Sequence, residues 1–228
     1  MSGQFTILVD PENSVDIPSV ENGCNPKPMW ARIFEISLSI SAPKIELGYS
    51  HLEEFAVSDQ NDFEKQMSAL VLKGSHHGTT PKPRDVDTNG DPIGSSLSVN
   101  WQHYASSDKG IAYLVFRLSS DFDWQFNEFT VPFSMHKDDL PYCRFAGGGK
   151  FAADGAHVDP SKKLSDCRYA YFIVNGPNLP GNLPGQGPQD FIRPFNMHIE
   201  LLERGNVTHN RIPIIIDPDV RNPGGSGG

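Results

Sequence analysis

Apolar and polar side chains alternate with a period of two along much of this chain. Phe34, Ile36, Leu38 and Ile40 point one way while Glu35, Ser37, Ser39 and Ser41 point the other. That spacing predicts a β-strand with one face buried and one wet. Leu97, Val99, Trp101 and His103 repeat the pattern against Ser98, Asn100, Gln102 and Tyr104. Ile111 to Leu118 is an almost unbroken apolar run, as a central strand covered on both faces requires. Trp124 and Phe126, then Phe129, Val131 and Phe133, alternate again, with Pro132 marking an edge or a bulge. Arg168 to Val174 reads as another buried strand. Near the end, Phe195, Met197, Ile199 and Leu201 alternate with Asn196, His198 and Glu200, and a turn centred on Arg204-Gly-Asn206 sends the chain back through Ile212 to Ile216. Glycine supplies the positive φ such a hairpin turn needs.

Only Ser50 to Lys73 carries a helical period, with Phe63, Met67 and Leu70 at i, i+4 and i+7 after a polar Asp59-Gln-Asn-Asp62 start. Phe5 to Val9 is expected to be a short first strand. Gly74 to Gly94 reads as a loop, Arg144 to Lys163 as a long surface excursion, and the tandem Asn178-Leu-Pro-Gly181 and Asn182-Leu-Pro-Gly185 as two successive turns. Many short strands separated by turns, with little helix between them, predict an all-β fold: an antiparallel β-sandwich or jelly roll with at most one or two short helices. One domain is expected over residues 1–221, with 222–228 a flexible Gly-rich tail.

Composition agrees, because 21 Gly and 19 Pro in 228 residues supply the breakers that short strands need. The formal charge of −9 and the lack of a Lys/Arg cluster argue against nucleic acid and against an anionic membrane as partners. The first ten residues lack the basic start of a secretory signal, and no window approaches about 18 consecutive apolar residues. Cys24, Cys143 and Cys167 are odd in number and have no paired CxxC spacing, so they are expected to stay reduced in a soluble, cytoplasmic protein. Gly147-Gly-Gly-Lys150 fails the phosphate-loop spacing, since Arg144 stands where the first Gly belongs and Phe151 where Ser or Thr belongs. A Gly-x-Ser-x-Gly elbow is also absent.

Two patterns are candidate metal sites. Asp85, Asp87, Asn89 and Asp91, with Gly90 between the last two, resemble the first seven positions of the EF-hand calcium loop, whose oxygens wrap a Ca2+ ion. Ser96 replaces the bidentate Glu of position twelve and Pro92 blocks a following helix, so a polar turn explains the same residues. His157-Val-Asp159 with His209 is similar to the two-His-one-carboxylate set of the iron and 2-oxoglutarate oxygenases, which would hold Fe2+ on a jelly roll. That family's oxoglutarate-binding cation has only Arg221 to represent it. His76 and His77 read as solvated loop histidines.

The C-terminal strand-turn-strand ending in Ile216-Asp217-Pro218 resembles the hairpin of the bacterial inclusion-body (PixA/AidA-like) family of β-sandwich proteins. The resemblance implies a sandwich without catalytic residues. The first functional expectation is therefore a non-catalytic sandwich that acts by binding an unknown small molecule or protein, or by self-association as a homo-oligomer. Two alternatives stand beside it: a metal-dependent jelly-roll enzyme using His157, Asp159 and His209, and a calcium-stabilised, lectin-like binding domain.

Overall fold

The computed structural model describes residues 14–16, 30–41, 44–74, 97–98, 111–120, 122–136, 145–175, 191–202, 211–216 and 219–222. They form thirteen strands and one helix: β1 (Ser14–Asp16), β2 (Trp30–Ser41), β3 (Lys44–Ala56), α1 (Gln60–Lys73), β4 (Leu97–Ser98), β5 (Ile111–Leu118), β6 (Trp124–Phe126), β7 (Phe133–His136), β8 (Phe145–Phe151), β9 (His157–Val158), β10 (Tyr169–Asn175), β11 (Phe191–Leu202), β12 (Arg211–Ile216) and β13 (Asp219–Asn222). One sheet runs β3-β2-β5-β10-β8-β9; in the other, β11 is the hub that pairs with β6, β7, β12 and β13. Most pairings are antiparallel, with β2·β5 and β13·β4 parallel. The all-β sandwich expectation holds, with this parallel admixture as the difference.

The inner faces of the two sheets interlock. Phe34, Phe116 and Phe172 from one meet Phe126, Phe133 and Phe195 from the other, and Met197 and Ile199 extend the same buried cluster. Phe133 and Phe172 meet edge to face at 5.0 Å between ring centroids, a geometry aromatic quadrupoles favour. Helix α1 adds a third layer over the outer face of the six-stranded sheet. Its Phe63, Met67 and Leu70 pack onto Ile33, Tyr113, Val115 and Tyr171. Burying a side chain such as Phe63 stabilises the fold by about 2–3 kcal/mol. This layer is why β2 is buried on both faces through Ala31, Ile33, Phe34 and Ile36, where the alternation had implied one wet face.

The helix starts later than its period suggests, because Ser50 to Ala56 belongs to β3, the long antiparallel partner of β2. Asp59 caps it by accepting the Asp62 N–H at 2.9 Å, and Gly74 ends it in the left-handed region at φ 62°.

Two further expectations are corrected. Phe129 is 62% exposed rather than in the core, because the Asn127 side chain accepts from the Phe129 and Thr130 N–H groups and bends the chain outward between β6 and β7. Arg144 to Lys163 is not all a surface excursion: Phe145–Phe151 is a strand between β10 and β9, and Lys150 and Phe151 are buried. The strand expected at Leu97 to Tyr104 is described only at Leu97–Ser98. The expected strand Phe5 to Val9, the paired turns after Asn178 and the hairpin turn at Arg204-Gly-Asn206 lie outside the described residues. Among those described, no helix is long and apolar enough to cross a membrane.

Candidate functional site

The glycines of β8 serve the packing of their neighbours. Gly147 takes φ 65°, and nearby the β8–β10 register shifts between Phe172 and Ile173, the signature of a bulge. A Cβ on Gly149 would lie 2.6 Å from Tyr171 Cε1 and would also overlap His157 Nε2. The missing side chain leaves room for His157 to meet the Tyr171 hydroxyl at 3.0 Å. On its other side, His157 Nδ1 lies 3.5 Å from Glu64 Oε1 of α1. Burial raises the Tyr113 and Tyr171 hydroxyls well above the usual phenol pKa, so both stay protonated. Phe63 stacks on Tyr113 at 3.7 Å between centroids, and the Tyr113 hydroxyl is buried without a hydrogen-bond partner among the described residues.

These contacts answer the oxygenase-like set. His157 is turned to Glu64 and Tyr171, whereas Asp159 accepts from the Ser161 N–H at 2.8 Å and from its hydroxyl. Those hydrogen bonds hold the Asp159 carboxyl below its ordinary pKa. The two residues are thus engaged separately. His209 lies outside the described residues, as do Asp85, Asp87, Asn89 and Asp91. Among the described residues, no three His, Cys, Asp or Glu side chains come together as metal ligands.

A cleft of about 430 Å³ opens where the C-terminal end of α1 meets the ends of β5, β8 and β10. Val71, Leu118 and Phe151 give it apolar walls, and Arg117, Arg168 and Asp166 bring charge to it. Arg117 and Tyr169 are directly paired across β5 and β10, which fixes one wall by sheet register. Glu35 of β2 forms an ion pair with Arg117. Burial opposes the charge on Arg117, but hydrogen bonds to Glu35 and Tyr169 outweigh that cost and raise its pKa. Arg168 Nη1 donates to the Ser119 carbonyl at 2.9 Å and, more weakly, to the Phe122 carbonyl at 3.5 Å.

Asp166 sits at φ 56°, in the left-handed region that L-residues seldom occupy. Its N–H donates to Gln125 Oε1 at 2.7 Å, and Gln125 Nε2 donates to Glu200 Oε2 at 2.9 Å. Arg211 Nη1 completes the chain at 3.3 Å from Glu200 and also pairs with buried Glu128. Glu128 accepts from Ser165 Oγ at 2.6 Å and lies 3.3 Å from Lys163 Nζ. This buried polar network pins the segment leading into β10, and with it the two charged residues that β10's N-terminal end presents to the cleft.

In chemical terms the cleft combines two guanidiniums, each steadied by its own partner, with a volume in the range of small-molecule sites. Guanidinium forks match phosphate oxygens and keep their charge at every pH a cell reaches. None of the three charged residues is marked by a motif. The available signals were Arg117 as the one charge within the apolar run Ile111 to Leu118, and Arg168 at the mouth of a strand.

Residues 151–225 match the model of a family described as a predicted novel nucleotide synthetase. No curated protein matches the chain. The matched segment is about a third of the chain and carries Asp166, Arg168 and Tyr169 of the cleft, together with His157, Tyr171 and Arg211. This match overturns the expectation of a non-catalytic sandwich acting by binding or self-association, since it points to an enzyme of nucleotide synthesis. No complete local motif marks this cleft, because its charges come from separate segments of the chain.

Proposed function

We propose that this protein is an enzyme of nucleotide synthesis that binds the phosphates of its substrate between Arg117 and Arg168. The observation that carries the reading is the pair of arginines on one cleft of an acidic chain, with Arg168 inside the segment that matches the nucleotide synthetase family. Arg168 is held by the Ser119 carbonyl through Nη1, which leaves other N–H donors for an anion. Glu35 restrains Arg117 in the same way. Apolar groups along the cleft shield these charges from water, which strengthens their hold on phosphate. A cytoplasmic location accords with a nucleotide substrate and with the free Cys167 thiol.

Isothermal titration with ATP, GTP, CTP and UTP tests the reading, together with mass spectrometry of the products after incubation. At least one nucleotide is expected to bind with micromolar affinity, and Arg168→Gln to weaken that binding about tenfold, the loss of a charge-assisted contact. Failure of all four to bind the wild-type protein would overturn it.

A further inference from the structure

The polar and apolar residues of the cleft are sorted by strand. Arg117 and Ser120 come from the end of β5 and just beyond it, and Asp166, Arg168 and Tyr169 from the start of β10 and its approach. The opposite side is built by Val71 and Gly74 at the end of α1, Phe151 of β8 and the Ala152 and Ala153 that follow it, and it contributes no charged or hydroxyl-bearing side chain. Sheet register gives this sorting a direction. Arg117 pairs with Tyr169, and Tyr169 with Phe151, so one row of side chains runs from the Arg117 guanidinium across β10 to the Phe151 ring. Two strand spacings, about 10 Å, separate its ends. The cleft is charged over β5 and β10 and apolar over β8.

The apolar end stands on a tethered turn. Between β8 and β9 the Ala152 N–H donates to the Ala156 carbonyl and the Gly155 N–H to the Ala152 carbonyl, each at 2.9 Å. Helix α1 grips this turn with one face, on which Glu64, Ser68 and Val71 follow at i, i+4 and i+7. Ser68 Oγ donates to the Gly155 carbonyl at 2.5 Å. A Cβ on Gly155 would lie 2.8 Å from the Ser68 carbonyl oxygen, so the missing side chain lets the turn close onto the helix. Two residues further on, His157 faces Glu64. Neither Ser68, Glu64 nor His157 lines the cleft; their contacts set where Ala152 and Ala153 stand.

Resting on the nucleotide reading above, we propose that the β8–β9 turn is the wall that meets the nucleobase, with the phosphates at the Arg117 and Arg168 end, and that Ser68 is a positioning residue for this wall. Among the residues that line the cleft, phosphate oxygens find cationic partners only on the β5 and β10 side. A bound nucleotide therefore directs its base, a flat and largely apolar group, toward Phe151, Ala152 and Ala153. Short side chains at 152 and 153 keep that end of the cleft open, and a turn tied to α1 gives it a fixed shape.

The test is titration calorimetry with ATP, GTP, CTP and UTP beside inorganic tripolyphosphate, which carries the charge without a base, on wild type, Ala153→Leu, Ser68→Ala and Arg168→Gln. Ala153 is exposed and alanine is the better helix former at 68, so these two variants are expected to fold, and their melting curves verify it. Ala153→Leu is expected to weaken the best nucleotide about tenfold, the scale on which a small misfit in an apolar pocket is felt, and to leave tripolyphosphate unchanged. Ser68→Ala is expected to act the same way to a smaller extent, about threefold, the scale of one lost hydrogen bond. Arg168→Gln weakens both ligands. Tripolyphosphate lost in step with the nucleotide in Ala153→Leu, or nucleotide affinity equal to wild type in that variant, overturns the base-facing wall and leaves the nucleotide reading standing. Unchanged nucleotide affinity in Ser68→Ala overturns the role of Ser68. Wild type that takes up no nucleotide overturns the nucleotide reading and this orientation together.

Discussion

The Tyr171 hydroxyl and His157 Nε2 meet at 3.0 Å above a strand position that has no side chain, Gly149. Both rings lie against Phe151, with centroids 5.7 Å and 5.6 Å away, so neither is free to swing aside. Gly149→Ala forces a methyl group into this contact, 2.6 Å from Tyr171 Cε1. Overpacking of this kind costs about 1–3 kcal/mol. Urea denaturation should show the midpoint falling with an unchanged slope; a midpoint equal to wild type would mean that the rings yield where the packing says they do not.

The helix and the strands β2, β5, β10, β11 and β12 were legible because each is written in local periodicity or an apolar run, whereas β3 and β8 were not. Phe63, Met67 and Leu70 are buried as their spacing requires, and Phe195, Met197 and Ile199 line the inner face of β11. What periodicity does not carry is which element covers the second face of a sheet. Ala31 and Ile33 are buried because α1 lies across β2, a tertiary event with no local sign. The parallel pairing of β2 with β5 is hidden for the same reason. The cleft was illegible because Arg117 comes to it from the end of β5, and Asp166 and Arg168 from the approach to β10, about fifty residues later. Register across the sheet brings them together, and no spacing along the chain records it. The triglycine misled in the opposite direction: it reads as a loop, yet its residues are strand positions thinned for close packing.

Alkaline pH should unfold this protein in a defined order. Burial pushes the Cys167 thiol from 9.0 up to about 12, and it raises the Tyr113 and Tyr171 hydroxyls above their ordinary value of 10.0. In each case the native state keeps a proton that the unfolded chain releases. The unfolded chain therefore binds fewer protons, and stability falls as pH rises. The contribution of Cys167 is complete below pH 9 and drains away as pH climbs to about 12, while the tyrosines begin to act near pH 10. Urea midpoints measured against pH should decline across this window. Cys167→Ala should flatten the first part of the decline and Tyr171→Phe the later part, whereas curves parallel to wild type would show that these groups titrate alike in both states.

Lys150 runs the other way. Its register partner is Ala170, so it shares the face that looks toward the second sheet, and it is 0% exposed. Nζ donates to the Thr130 carbonyl at 3.3 Å. Burial disfavours its ammonium and lowers its pKa from 10.5, with Cys167, Asp159 and Glu200 recovering part of the cost. A base whose pKa is depressed by folding weakens the native state wherever it must be charged, and the penalty fades as pH rises toward 10.5. Lys150→Met keeps the aliphatic stem and removes the charge, so at neutral pH it should stabilise the fold by about 1–4 kcal/mol, as when a buried ion gives way to a well-packed apolar group. The gain should shrink as the pH rises toward 10.5 and vanish above it, where the wild-type lysine is neutral in both states. Urea midpoints of the two proteins at neutral and alkaline pH measure that difference. A variant less stable than wild type at neutral pH would mean that the bond to Thr130, which ties β8 to the turn before β7, outweighs the buried charge.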